Sequence, residues 1–321
     1  MTDMKRRDFL KTGAAVGAGT LVVASSLRAD AGQTPAELKK QSKPKKPFST
    51  DPCAIVPLTD KVSCTRLGFG TGVRGGNRTS DITRMDEAKA VGLLKYAYDR
   101  GLRLFDMADL YGSHPLVAKA LDGKARDSYT LISKIWVHGG GIPEPVAERP
   151  TADVTVKRFL KECNVDYIDV MQLHCMMDGH WAGQFEKQME ILERLKEEGL
   201  IRAHGVSCHA NSALDVASKT LWTDTVHVRI NHDGAKMDGS VEGVVQVTRA
   251  CHESGIGVVG MKIMGEGTFG NDLQKRKKSV DFVLNLDCVD AFVVAFDEKE
   301  HIDELLANAR ESLENMAKNR T

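Results

Sequence analysis

Between residues 66 and 309 one pattern recurs eight times, a short apolar run followed by a longer amphipathic segment. The runs fall at 66–70, 102–106, 129–133, 167–173, 203–207, 226–230, 257–261 and 291–295. They are too short for buried helices and lie between turn residues, so they predict buried strands. The amphipathic segments at 86–100, 116–121, 152–163, 184–198, 210–219, 241–252, 275–286 and 299–309 predict helices. In one of them Ile191, Leu192 and Leu195 form an apolar stripe against Glu190, Glu193 and Lys196. Parallel strands need a crossover between them, usually a helix. Strict alternation therefore predicts the α/β class and, within it, a (β/α)8 TIM barrel. A doubly wound sheet is the alternative. It is disfavoured because Leu67-Gly68-Phe69-Gly70-Thr71-Gly72 lacks the third glycine spacing of a G-x-G-x-x-G turn and no helix opens on it.

At 321 residues, 42% of them hydrophobic, the chain can bury a full core as one large α/β domain or two small ones. Lys+Arg and Asp+Glu both number 44, and nothing in that balance points to nucleic acid. No apolar run of membrane-spanning length occurs in the body of the chain, so no stable span is expected in the mature protein. The seven cysteines are scattered, without CxxC or Cys/His clusters, and no metal site is expected. Cys53 and Cys64 are close enough in sequence for pairing to remain open in an oxidising compartment.

The N-terminus carries an address. Basic residues 5–7 lead into a weakly apolar stretch rich in Gly and Ala, then Ala29-Asp30-Ala31, the layout of a secretory signal. Arg6-Arg7-Asp8-Phe9-Leu10-Lys11 resembles the twin-arginine (Tat) signal. An ordinary Sec signal or a basic N-terminal helix are the alternatives. The expected division is a signal peptide over 1–31, a linker and N-terminal extension over 32–62, and the barrel over 63–321. The Tat export machinery is then a partner and the mature protein is periplasmic or otherwise extracytoplasmic. Tat substrates cross folded, so a cofactor bound in the cytoplasm can travel with the protein.

Three of the predicted strands end on chemistry. Asp106 closes one run, with Tyr111 five residues later in a short loop, Lys134 closes the next, and His174 the one after. Singly, each has an ordinary reading as a helix cap, a packing phenol or a structural imidazole. In a parallel barrel the strand ends converge on one face, so these four groups would meet there and form a proton-donating site for a carbonyl. The loop at 138–150, rich in Gly and Pro, lies on that face and suits a substrate wall.

These segments resemble the aldo-keto reductase superfamily from about residue 66 to 309. RLGFGTG is similar to its first strand, FDMADLYG to its Asp-x-Ala-x-x-Tyr-Gly motif, ISK to its lysine strand and DYIDVMQLH to its histidine strand. The resemblance implies an NAD(P)H-dependent oxidoreductase interconverting a carbonyl, possibly sugar-derived, and an alcohol, with Asp106, Tyr111, Lys134 and His174 as catalytic tetrad. It further implies cofactor contacts at Thr71, Gly72, Val73, Ser207, Cys208, Met261, Lys262, Met264, Gly265, Gly267, Phe296, Asp297 and His301. Nicotinamide would supply hydride, Tyr111 the proton, and the Lys134 ammonium would lower the phenol's pKa. Three positions depart from common relatives: Cys208 stands in place of Asn, Met261 of a stacking Tyr, and His301 of an Arg on the 2′-phosphate. NADP and NAD are therefore both open as cofactors. Trp136, His138, Cys175, Met176, Met177, His180, Trp181 and His232 are candidate substrate contacts. The alternatives are a Schiff base on Lys134 and a non-catalytic nucleotide-binding barrel acting as a binding or sensory subunit.

Overall fold

The computed structural model describes residues 48–320. A hairpin of β1 (Ile55–Pro57) and β2 (Ser63–Thr65) precedes eight parallel strands. These are β3 (Leu67–Gly70), β4 (Leu104–Asp106), β5 (Thr130–Trp136), β6 (Ile168–Met176), β7 (Ile201–Cys208), β8 (Thr225–Arg229), β9 (Gly257–Met261) and β10 (Ala291–Val294). They close on themselves in sequence order, β10 pairing with β3, so the fold is the expected TIM barrel. Around it run α2 (Glu87–Asp99), α3 (His114–Leu121), α4 (Ala152–Cys163), α6 (Glu186–Glu197), α7 (Asn211–Lys219), α8 (Val241–Glu253), α9 (Leu273–Asn285) and α10 (Lys299–Lys318). Single helical turns α1 (Asp81–Arg84) and α5 (Trp181–Gln184) are too short to show a period in sequence. Helix α10 runs past the expected end at 309 because Ser312 and Leu313 continue its buried stripe.

Strand alternation sorts the barrel interior into two storeys. Side chains two apart share a face, so Leu104 and Asp106, Ile132 and Lys134, and Val170, Gln172 and His174 point the same way. The lower residues pack as one apolar floor: Leu104, Ile132, Val170, Ala203, Val259 and Ala291. Val56, Leu58, Val62 and Cys64 of the hairpin region plug that floor from below. The plug fits because residue 257 is glycine, where a Cβ would lie 2.3 Å from the Leu58 carbonyl oxygen. Part of the extension expected over 32–62 is thus folded, with β1 pairing to β2 just beyond it, and three-residue strands are too short to announce themselves. Cys53 packs instead against the outer cluster between barrel and helices, its thiol donating to the Arg100 carbonyl, while Cys64 lies in the floor.

The twin-arginine segment, Arg6 and Arg7 included, and the cleavage site after Ala31 lie outside the described residues. Among the described residues no helix is long and apolar enough to cross a membrane.

Candidate active site

The upper storey of the barrel is polar. Lys134, at the register position opposite Gln172, donates from Nζ to the Asp106 carboxylate and, at 3.0 Å, to the Met107 carbonyl. Tyr111 arrives from a single 3₁₀ turn, Asp109–Tyr111, that ends on Gly112 with φ 64°. Only glycine fits there, since a Cβ would sit 2.1 Å from the Arg78 carbonyl oxygen. The phenol ring lies against Gly72 and Gly75, so closely that a Cβ on Gly72 would be 2.3 Å from it. Its hydroxyl is 3.2 Å from His174 Nε2, with the rings edge to face. The structure therefore brings Asp106, Tyr111, Lys134 and His174 together at the strand ends.

Their electrostatics follow from burial. Burial opposes ionisation of Asp106, but the Lys134 ammonium and then His227 outweigh it and hold the carboxyl below the usual range. Burial pulls Lys134 below a lysine's ordinary value against the upward pull of Asp106. Burial, and after it the Lys134 charge, keeps His174 neutral well below the ordinary imidazole value. Among the described residues His174 Nδ1 meets no hydrogen-bond partner. An orphaned buried acceptor is more tolerable than an orphaned N–H, so the proton belongs on Nε2, facing the Tyr111 oxygen.

One expectation is corrected. The Lys134 ammonium was to lower the Tyr111 pKa, yet its Nζ is 5.4 Å from the ring centroid and turned to Asp106 and Met107. Burial and the Asp106 charge instead raise the phenol well above its ordinary value, so it keeps its proton throughout the neutral range.

His227 was not singled out from sequence. It stands on β8, fully buried, with Nε2 3.2 Å from Asp106 Oδ1. Its signal was Thr225-x-His227-x-Arg229, polar groups at every second position of a barrel strand, which points them into the lumen.

Buried neutral histidines make stability depend on acid. His174, His204 and His227 are lowered, and His209 falls to about 3, with burial the first cause in each. In the unfolded chain each binds a proton near pH ~6.5. Below that pH the unfolded state holds more protons, so stability falls as pH falls. The slope is about 1.4 kcal/mol per pH unit for each histidine kept neutral. Urea midpoints should therefore drop between pH 7.5 and 5.5, and a flat profile would contradict this burial.

A cleft of about 530 Å³ opens beside Tyr111 and runs over the ends of β3, β9 and β10 to α9 and α10. Thr71, Gly72, Val73, Met261, Lys262, Met264, Gly267, Phe296, Asp297 and His301 line it. Gly265 is buried within the same loop, φ 58°. Like Gly265, two further expected contacts are not part of the lining. Ser207 Oγ accepts the Cys175 N–H at 2.9 Å. Cys208 packs in the outer hydrophobic cluster, because it takes the outward position on β7.

Of the substrate candidates, Trp136 and His138 surround His174, the Trp136 ring at 5.4 Å and His138 Nε2 donating to the His174 carbonyl at 3.0 Å. Cys175 Sγ lies 3.4 Å from His209 Nε2. Met176 and Trp181 are core residues, Trp181 bonded through Nε1 to the Ala213 carbonyl. Met177 and His180 are exposed beyond the strand end, and His232 lines a separate polar groove with Lys275 and Lys278. The 138–150 loop is tied to the loop after β3, with Asn77 N–H bonded to the Gly141 carbonyl and Arg78 paired with Glu144.

Residues 66–319 match the aldo/keto reductase family, and residues 3–23 match the TAT (twin-arginine translocation) pathway signal sequence. A probable aldo-keto reductase of Glycine max is 26% identical over 230 residues, 66% of this chain. The chain spans 59% of that relative's length. A putative aldo-keto reductase from Pseudomonas aeruginosa superposes with TM-score 0.63 at 25% identity, covering 83% of this chain and 97% of its own. An aldo/keto reductase from Klebsiella pneumoniae, solved with NADP and acetate, superposes with TM-score 0.59 at 19% identity, covering 77% of this chain and 87% of its own.

Proposed function

The chain belongs to the aldo/keto reductase family, and from that premise we propose an NAD(P)H-dependent oxidoreductase that interconverts a carbonyl and an alcohol. The observation that carries this reading is Tyr111. A protonated phenol, hydrogen-bonded to a neutral His174 and flanked by a buried Lys134–Asp106 pair, borders the cleft.

The cleft fits a dinucleotide. It falls in the volume range of ligand sites, and the backbone at Gly72 leaves the Tyr111 ring within reach of whatever fills it. Thr71, Gly72, Val73 and Met261 would hold the reacting end, and Lys262, Phe296, Asp297 and His301 the remainder. A nicotinamide bound there supplies or accepts hydride. The chain's own residues do the rest. Tyr111 delivers its proton to the carbonyl oxygen as negative charge develops, and an alkoxide is a stronger base than a phenolate, so donation proceeds from a raised phenol. His174 Nε2–H orients that oxygen and stabilises its charge. Lys134, fixed by Asp106, places a positive charge beneath the site, and His227 braces Asp106 from β8. The same ion pair turns Nζ toward Asp106 and the Met107 carbonyl, which disfavours Schiff-base chemistry on it.

Trp136 and His138 offer aromatic and imidazole faces at the substrate end, suited to a small aldehyde or a sugar-derived carbonyl. Consumption of NADH or NADPH at 340 nm across a panel of such carbonyls tests the assignment. Dinucleotide binding without turnover of any of them would favour a binding or sensory barrel instead.

The twin-arginine signal supports export of the folded protein, with the periplasm as destination and the mature chain beginning after Ala31. Changing Arg6 and Arg7 together to Lys should leave the precursor in the cytoplasm. Finding mature exported protein from that variant would refute Tat dependence.

A further inference from the structure

The cations that line the cleft are matched by carboxylates that line it too. Arg276 gives Nε and Nη2 to the two carboxylate oxygens of Glu304, both at 2.8 Å, and its Nη1 to the Gly270 carbonyl. His301 Nδ1 lies 2.6 Å from Asp297, Lys262 Nζ lies 2.5 Å from Glu266, and Arg74 pairs with Asp81 at 2.8 Å. All eight residues border the same cleft. Helix α10 begins beside it with Asp297, Glu298 and Glu300 in or before its first turn, which satisfies the helix dipole and opposes an added anion.

We infer that this cleft selects the dinucleotide without a 2′-phosphate, NAD(H) over NADP(H), with Glu304 and Asp297 as the residues that set the preference. The inference rests on the dinucleotide reading above and goes further, to which dinucleotide.

A 2′-phosphate is gripped best by an arginine fork whose N–H groups are free to bind two of its oxygens. The fork of Arg276 is turned to Glu304 and, at 15% side-chain exposure, has little room to swing away. Freeing it would leave the Glu304 carboxylate facing the phosphate at short range. His301 has the same difficulty, with Asp297 as its neighbour. A ribose 2′-hydroxyl brings no charge, and it can donate a hydrogen bond to a carboxylate while the ion pairs stay closed.

The test is binding, independent of turnover. Tryptophan-fluorescence titration of the full chain with NADH and with NADPH, at low and high salt, reads both affinities. At low salt NADH should bind about tenfold or more tightly than NADPH, a difference one closely placed like charge can supply. Added salt should narrow the gap, because screening shortens the Debye length from about 30 Å at 0.01 M to about 3 Å at 1 M. Glu304→Gln and Asp297→Asn should each move the ratio toward NADPH by several-fold. Asp297 has a side chain 68% exposed, so its variant stays folded. NADPH binding more tightly than NADH in the unaltered chain would overturn the preference while leaving the dinucleotide reading intact. A ratio unmoved by either variant would overturn the role of these carboxylates. If neither dinucleotide binds, the dinucleotide reading itself falls and the preference with it.

Discussion

Tyr111→Phe is expected to lower turnover of any accepted carbonyl by about two orders of magnitude or more while leaving dinucleotide affinity nearly unchanged. The substitution removes one oxygen and nothing else. The ring keeps its seat against Gly72 and Gly75, and His174 keeps its place at the end of β6. What disappears is the hydroxyl, whose oxygen lies 3.2 Å from His174 Nε2, and with it the proton it would donate. Parallel measurement of kcat and of dinucleotide binding separates a lost proton donor from a damaged cleft. Retained turnover would assign the proton to another group, of which His174 is the nearest. Weakened binding with unchanged kcat would instead make the phenol a wall of the cleft.

Lys134→Met should cost both stability and turnover, and the two losses come apart in a double variant. With the ammonium gone, Asp106 is left buried beside His227, which burial keeps neutral. Removing one partner of a buried pair costs about 3–5 kcal/mol, read as a lower denaturant midpoint. The sign of its pH dependence is fixed. Without Lys134 the folded-state pKa of Asp106 rises above its unfolded value, so the folded chain holds the extra proton and the deficit is smallest in acid. The deficit should grow as pH rises from 5 to 8. Lys134→Met combined with Asp106→Leu removes both charges and should recover much of the stability, yet turnover should stay low because the positive charge beneath the oxyanion is absent. Full recovery of turnover in the double variant would show that the pair serves folding alone.

The barrel could be read from the chain because each strand is buried on both faces and each helix on one. That difference in burial writes a short continuous run for a strand and a 3.6-residue stripe for a helix, and both survive in a linear sequence. The hairpin plug left no such trace. Its strands have three residues each, and what makes it a plug is the closeness of Leu58 to Gly257, two residues far apart in the chain. Met176 and Trp181 misled for a related reason. Proximity in sequence to His174 suggested the pocket, while the direction of the chain after β6 sent them to the core.

The four polar groups at the strand ends were visible because parallel strands carry their C-terminal ends to one face, so position along a strand already fixes which end of the barrel a residue occupies. Their protonation states were not visible. The Lys134 ammonium looked like a partner for the Tyr111 phenol, and only the packed structure shows it turned to Asp106, with burial raising the phenol. The contacts of His227 with Asp106 and of Arg276 with Glu304 were hidden likewise, since each joins neighbours on different elements. A sequence records which groups ride on which strand, because burial imposes a local period. Which groups touch, and therefore which are charged, depends on distances of a few ångströms between strands and helices far apart in the chain, and those distances exist only once the barrel has closed.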